Sequence, residues 1–319
     1  MTTMLCLYPL SPEQEAAVRA AAPGVSITFG RPGGQDDEAY REAEIIFGWD
    51  AKVKEVALQE GTKLRWIQSW SSGIDSLPLD RLEARGVRLT DASGVHARSV
   101  SETAVAMMLG LSRGIAAAVR NQRTGAWESP ETLAEMNGGT VAIVGAGEIG
   151  REVARIARAF DMRVLAVRRS GGAVPEADAA YAADRLDEAL READYVVNIL
   201  PLTNETAHLF QAERFAAMKR GAYFINVGRG GTVRTEDLVA ALEQGVIAGA
   251  GLDVFEQEPL PADHPLWALP NVILTPHNAG GLTARNVERL VRLVAANLGI
   301  YLSGEPEKLR NLVDYGKRY

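Results

Sequence analysis

Short, almost purely apolar runs alternate with helix-like stretches along the whole chain, and few architectures accept that pattern. A strand that is apolar at nearly every position must be covered on both faces. An amphipathic helix after each strand supplies the cover, so the pattern predicts α/β layers with parallel sheets. Two series separate. The first places strands at 4–8, 25–29, 45–48, 65–69 and 87–90, with a helix after the first strand opened by Ser11 as N-cap and Pro12 in the first turn. The second places strands at 140–144, 163–167, 195–200, 222–227, 249–254 and 272–275.

At 319 residues the chain exceeds one ordinary core, and about 150 residues per domain predicts two. A long helical pattern over 99–120 carries the chain from the first series to the second. After the last strand Thr283 caps another helix, in which Val287, Leu290, Val291, Val294, Leu298 and Tyr301 recur at helical spacing. No strand follows it, so it is expected to pack back on the first series and make that domain discontinuous. The expected division is 1–98 with 287–319, and 99–286. Arg285, Glu288, Arg289 and Arg292 form its opposite, solvated face.

A net charge of -7 and a pI near 5.3 leave no broad basic surface for nucleic acid or an anionic membrane. Cys6 is the only cysteine and lies in an apolar run, which predicts a small buried strand residue and a reducing compartment. No apolar run approaches the length of a membrane span and no signal pattern opens the chain, so a cytoplasmic protein is expected. His96, His208, His264 and His277 are dispersed and form no metal-ligand cluster. His264, before a proline, is expected to brace a turn, while His96 and His208 are expected to cap or face solvent.

The second series opens with Gly145-x-Gly147-x-x-Gly150 between a strand and a helix. Gly145 permits the tight turn, Gly147 lets backbone approach a pyrophosphate, and Gly150 lets helix and strand pack closely. Glu148 and Ile149 begin the helix, whose free N–H groups and dipole favour phosphate. The next strand ends in Arg168, Arg169 and Ser170, where an acidic residue would hold the adenosine ribose of NAD(H). Two guanidiniums and a hydroxyl suit a 2′-phosphate, so NADP(H) is expected to be preferred with NAD(H) possible.

Further along, Arg229, Glu258 and His277 each follow an apolar strand. A guanidinium that holds a carboxylate, an imidazole that moves a proton and a carboxylate that tunes it are the groups needed to reduce a 2-keto acid. From residue types alone, Glu256 and Glu258 are equal candidates for the imidazole's partner.

These motifs, with Pro201-Leu-Thr-Asn-Glu-Thr206, Asn226-Val-Gly-Arg-Gly230, Gly251-Leu-Asp-Val-Phe-Glu-Gln-Glu-Pro259 and the stretch from His264 to His277, resemble the D-isomer-specific 2-hydroxyacid dehydrogenases over nearly the whole chain. That group includes the glyoxylate/hydroxypyruvate reductases. The resemblance implies two doubly wound parallel-sheet domains, a Rossmann cofactor domain inserted in a discontinuous flavodoxin-like substrate domain, with catalysis in the cleft between them. It implies that His277 is the acid/base, that Glu258 orients its ring and favours its charged form, and that Arg229 binds the carboxylate of a small 2-keto or 2-hydroxy acid. Leu200, Pro201, Thr206, Val227, Gly228, Asp253, Ala279 and Gly280 fall on positions that line the dinucleotide. The loop Ser69-Trp-Ser-Ser-Gly-Ile-Asp75 falls where the family binds substrate carboxylate, with free N–H groups expected around Ser72, Gly73 and Ile74.

This chain departs from the family in that loop, since Trp70 and Ser71 stand where a small residue is common. Trp49, Trp70 and Trp267 are candidate pocket walls, and equally candidates for core or interface. The resemblance further implies a homodimer, with 112–137 as an exchanged arm around Trp127. A dinucleotide-sensing interaction protein of corepressor type is the alternative from another class. A 3-phosphoglycerate dehydrogenase is a second enzyme reading, disfavoured because little chain follows the last helix for a regulatory domain. Glu258 disfavours the related formate dehydrogenases, which carry Gln there.

Overall fold

A computed structural model describes residues 1–129, 133–281 and 283–316. The chain divides into two compact units, Met1–His96 with Leu282–Tyr319, and Ala97–Gly281.

The first unit holds strands β1 (Thr3–Cys6), β2 (Ser26–Phe29), β3 (Ile45–Phe47), β4 (Trp66–Gln68) and β5 (Arg88–Thr90) in one sheet, ordered β2-β1-β3-β4-β5 and parallel throughout. That is the flavodoxin-like order. Side chains alternate between the two faces: Leu5, Leu7, Ile46, Ile67 and Leu89 enter one core cluster, and Met4, Cys6, Ile45, Phe47 and Trp66 enter the other. The second cluster is closed by Leu290, Val291, Val294 and Leu298 from helix Ala284–Leu302, so the last long helix returns to the first sheet. Thr283 caps that helix by accepting from the Asn286 N–H at 3.1 Å, and Ser11 caps helix Pro12–Ala21 in a capping box. Arg289 departs from the expected solvated face: its Nε donates to the Val95 carbonyl at 2.8 Å. Cys6 is fully buried, and burial pushes its thiol up to about 12, which keeps it protonated and unreactive near neutrality.

The second unit holds β6 (Thr140–Val144), β7 (Arg163–Val167), β8 (Ala179–Tyr181), β9 (Tyr195–Asn198), β10 (Tyr223–Asn226), β11 (Gly249–Leu252) and β12 (Val272–Leu274). Their order, β12-β11-β10-β9-β6-β7-β8, reverses direction at β6, as in a Rossmann sheet with one added strand. The fold class read from the sequence is therefore the observed one. Strand β8 is a correction, since no strand is expected there from the sequence. Ala-Ala-Tyr is three residues long and sits at the sheet edge half covered, so it lacks the apolar run that marks the central strands.

The helix expected over 99–120 is also corrected. It is two helices, Ala97–Ser112 and Ile115–Thr124, bent by 67° at Gly114, which adopts a left-handed φ of 67°. The first is packed by Val100, Ala104, Met107 and Met108 on one sheet face, whereas the second has no buried residue. No single helix among the described residues is long and apolar enough to cross a membrane.

Candidate active site

The glycine loop lies where the second sheet reverses direction, at the carboxyl ends of β6 and β9, the place where open α/β sheets bind ligands. Gly145 has φ +100°, and a Cβ there would stand 3.0 Å from the Ile199 carbonyl carbon, so the loop after β6 rests directly on the loop after β9. At Gly150 a Cβ would meet the Gly145 carbonyl oxygen at 2.8 Å, which fixes the close packing of helix Glu148–Arg158 on its strand. Gly147, by contrast, has open space where a Cβ would be, and it begins the helix without a side-chain cap. An uncapped helix start with room beside its first glycine is the kind of backbone that suits a phosphate. Glu148 is exposed and Ile149 half-buried beside it.

Arg168 follows Val167, whose carbonyl accepts from the Gly145 N–H at 2.9 Å, so the basic turn borders the glycine loop. Arg168, Arg169 and Ser170 are all exposed. Arg169 lies 3.7 Å from Glu205, a residue of the loop after β9. In that loop Thr206 donates through its hydroxyl to the Pro201 carbonyl at 2.6 Å, closing the turn that begins at Leu200. On the next strand, Gly228 is held so close to Leu200 that a Cβ would meet its carbonyl oxygen at 2.7 Å; Val227 beside it is buried.

The expected pairing of His277 with Glu258 is formed. His277 Nδ1 lies 2.6 Å from Glu258 Oε2, and Glu258 Oε1 accepts from the Phe255 N–H at 2.9 Å. The choice left open between two glutamates is resolved geometrically, because Glu256 turns to another histidine, with Oε1 2.7 Å from His208 Nε2. Burial pushes the Glu256 carboxyl up, but bonds from Thr235 and His208 outweigh it and hold the group below its usual range. His277 and Glu258 border a recess of about 550 Å³ whose other walls include Pro259, Leu260, Trp267 and Leu274.

Asp253 gives His277 its place. The buried carboxylate accepts from the Thr275 hydroxyl at 2.6 Å, the Asn278 N–H at 3.0 Å and the Ala279 N–H at 3.0 Å, while its own carbonyl accepts from the His277 N–H at 2.8 Å. The clamp holds His277 at φ 49°, a left-handed backbone that an unsupported residue rarely keeps. Asp253 was placed on the dinucleotide lining by resemblance; its carboxylate serves the histidine turn. Ala279 is buried and Gly280 half-buried at the end of that turn. Arg229 is half-buried, and its Nη1 donates to the Gly228 carbonyl at 2.9 Å.

In the first unit, the loop after β4 carries Ser72, Gly73 and Ile74. One expectation fails: the Gly73 N–H is not free but donates to Ser71 Oγ at 3.1 Å, and the Ser71 N–H donates to Ser69 Oγ at 3.0 Å. Serine hydroxyls mimic a backbone turn here and take up the donors. Ile74 points its side chain into the core, while Ser72 and Gly73 are half-exposed. Trp49 and Trp70 pack against the core, and Trp70 covers Gly48, where a Cβ would meet its ring at 2.9 Å. His96 is also corrected: it is buried, with Nε2 3.2 Å from the Trp70 carbonyl. The turn expected at His264 is found, with Nδ1 accepting from the Leu266 N–H at 3.2 Å.

Two polar residues escaped the sequence analysis as separate candidates. Asn198 and Asn226 end β9 and β10, are fully buried, and stand in strands otherwise made of apolar and aromatic residues. That contrast was the available signal.

A family model described as D-isomer-specific 2-hydroxyacid dehydrogenase, NAD-binding domain, matches residues 105–279. The glyoxylate/hydroxypyruvate reductase B of Escherichia fergusonii is 40% identical over 281 residues, which are 86% of each chain. Among solved structures, a D-isomer-specific 2-hydroxyacid dehydrogenase family protein from Aeromonas salmonicida superposes with a TM-score of 0.86 at 35% identity, covering 98% of this chain and 99% of that one. An NADPH-dependent glyoxylate/hydroxypyruvate reductase from Sinorhizobium meliloti, in complex with NADP and sulfate, gives 0.82 at 28% identity over 100% of both chains.

Proposed function

The chain belongs to the D-isomer-specific 2-hydroxyacid dehydrogenase family and is an NAD(P)-dependent oxidoreductase, and from that premise we propose that it reduces small 2-keto acids to D-2-hydroxy acids, preferring NADPH. The observation that carries this reading is the 2.6 Å pair of His277 and Glu258 on the recess in the cofactor-binding unit. Bound nicotinamide supplies the hydride. Arg229 binds the keto acid's carboxylate and stabilises negative charge as it builds on the carbonyl oxygen. His277 gives that oxygen its proton from Nε2, with Glu258 on Nδ1 setting the ring's orientation and balancing its charge. In the oxidation direction the neutral ring accepts the proton.

Glyoxylate and hydroxypyruvate are the first substrates to test, because the Escherichia and Sinorhizobium relatives are named for them. The NADPH preference rests on Arg168, Arg169 and Ser170 at the exposed end of β7, where a 2′-phosphate would meet two cations. Absorbance at 340 nm with glyoxylate, hydroxypyruvate, pyruvate, phenylpyruvate and branched 2-keto acids tests both points, with NADPH and NADH run in parallel. Turnover of none of these acids would sink the reading. In the same assay Arg168→Asp should move the NADPH-to-NADH ratio of kcat/KM by about 10–100-fold toward NADH, as expected for losing one charge-assisted phosphate contact. An unmoved ratio removes Arg168 from cofactor choice.

A homodimer is the assembly that best accounts for helix Ile115–Thr124, which buries none of its residues and exposes Ile115 and Val119. Trp127 beyond it is fully exposed. Large apolar side chains left bare in one segment mark an interaction surface. Residues 130–132 of the expected arm lie outside the described residues. Light scattering should give twice the chain mass at micromolar concentration; a monomer there overturns the assignment.

A further inference from the structure

The loops after β9 and β10 are joined by a closed circuit of buried polar side chains. Asn198, Asn226 and Thr232 are each no more than 1% exposed. Asn198 Nδ2 donates to Asn226 Oδ1 at 3.1 Å and to Thr232 Oγ1 at 2.8 Å, which uses both its hydrogens. Its Oδ1 accepts from the Leu200 N–H at 3.3 Å, at the start of the loop that runs beside the glycine turn. On the other side, Asn226 Oδ1 accepts from the Gly228 N–H at 3.1 Å, and Asn226 Nδ2 donates to the Arg229 carbonyl at 3.3 Å. Thr232 completes the circuit by donating its hydroxyl hydrogen to that same carbonyl at 2.6 Å. Thr232 is central, because its one oxygen accepts from the β9 side and donates to the β10 side.

Polar groups buried this deeply, in strands that are otherwise apolar, weaken packing unless they are hydrogen-bonded, and here each side chain is bonded to its neighbours and to backbone of one of the two loops. The loop from Leu200 borders the cofactor site, and Gly228 and Arg229 carry the group assigned to the substrate carboxylate. We propose that Asn198, Asn226 and Thr232 are positioning residues that couple these two loops, so that a bound dinucleotide tightens the grip of Arg229 on a carboxylate, and the reverse. The proposal rests on the reductase reading for the identity of the two ligands. Its physical basis is reciprocal linkage: a ligand that orders one loop lowers the cost of ordering the other when the two share one hydrogen-bond circuit.

Thr232→Val keeps the side-chain shape and removes both hydroxyl bonds, whereas Thr232→Ser keeps the bonds. The test is calorimetric titration of oxamate, an unreactive keto-acid mimic, into the full chain with and without saturating NADPH. For the wild type and Thr232→Ser, NADPH should tighten oxamate by about 5–10-fold or more. For Thr232→Val that factor should fall to about one, while NADPH alone binds within about threefold of wild type; in turnover, the keto-acid KM should rise about tenfold with kcat less affected. Thermal melts report folding, and Thr232→Ala, which adds no bulk, replaces the valine variant if that one does not fold. Equal coupling in wild type and Thr232→Val overturns the proposal, as does absent coupling in the wild type or loss in Thr232→Ser as large as in Thr232→Val. Keto-acid turnover by the wild type is scored separately: coupling without turnover leaves the circuit standing and removes the reductase reading.

Discussion

Replacing His277 with alanine is expected to lower turnover by roughly 10²–10⁴-fold while the keto-acid KM changes little, because a positioned acid/base contributes in the transition state and not in ground-state binding. The loss corresponds to about 3–5 kcal/mol of barrier. The structure makes the direction of this effect specific. Nδ1 is already taken by Glu258 at 2.6 Å, so on the proposed reading Nε2 is the nitrogen left to meet a substrate oxygen. The Asp253 clamp on Thr275, Asn278 and Ala279 keeps the turn in place, and none of its contacts uses the imidazole. Removing the ring therefore leaves the turn's own hydrogen bonds intact, and a folded, cofactor-binding variant with little turnover is the expected product. Steady-state kinetics in both directions on the variant check it. Turnover within a few-fold of wild type would show that solvent or another group moves the proton, and the mechanism would fall.

The same residues show why much of this protein was legible from its sequence. The central strands are covered on both faces, so Val141 to Val144 and Tyr195 to Val197 are apolar at every position and announce themselves. Edge strand β8 has half the cover and needed only Ala-Ala-Tyr, which carries no period. The bend at Gly114 was hidden because both flanking segments are good helix formers, and a single glycine inside a helical pattern does not declare whether it ends the helix. At the site, residue type identified Arg229 and His277 as candidates, since only a few side chains bind carboxylates or move protons. Which glutamate serves His277 depends on the chain's path after β11, a three-dimensional fact that two glutamates one residue apart cannot encode by themselves. The bond from the Gly73 N–H was hidden for a related reason: serines at 69 and 71 supply local acceptors, and whether a backbone donor meets a neighbouring hydroxyl is decided by turn geometry.

Arg229→Ala should show a different kinetic signature from the histidine variant. If the guanidinium holds the carboxylate in the ground state and also meets charge developing on the carbonyl oxygen, its removal raises the keto-acid KM and lowers kcat together. The combined loss in kcat/KM should be roughly 10³–10⁵-fold, from a bidentate charged contact plus one lost oxyanion donor. Arg229→Lys separates these contributions. An ammonium keeps the charge without the planar fork, so KM should recover only in part and kcat should stay low. The surroundings favour this outcome, because the Arg229 Nη1 is steadied by the Gly228 carbonyl at 2.9 Å and the backbone behind it is held by Asn226 and Thr232. A shorter-reaching or differently aimed donor at this fixed position cannot place two hydrogen bonds on one carboxylate. Kinetics of all three enzymes with glyoxylate and NADPH decide the matter: a lysine variant indistinguishable from wild type would reduce Arg229 to a source of positive charge, and an alanine variant with an unchanged KM would place the carboxylate on some other group.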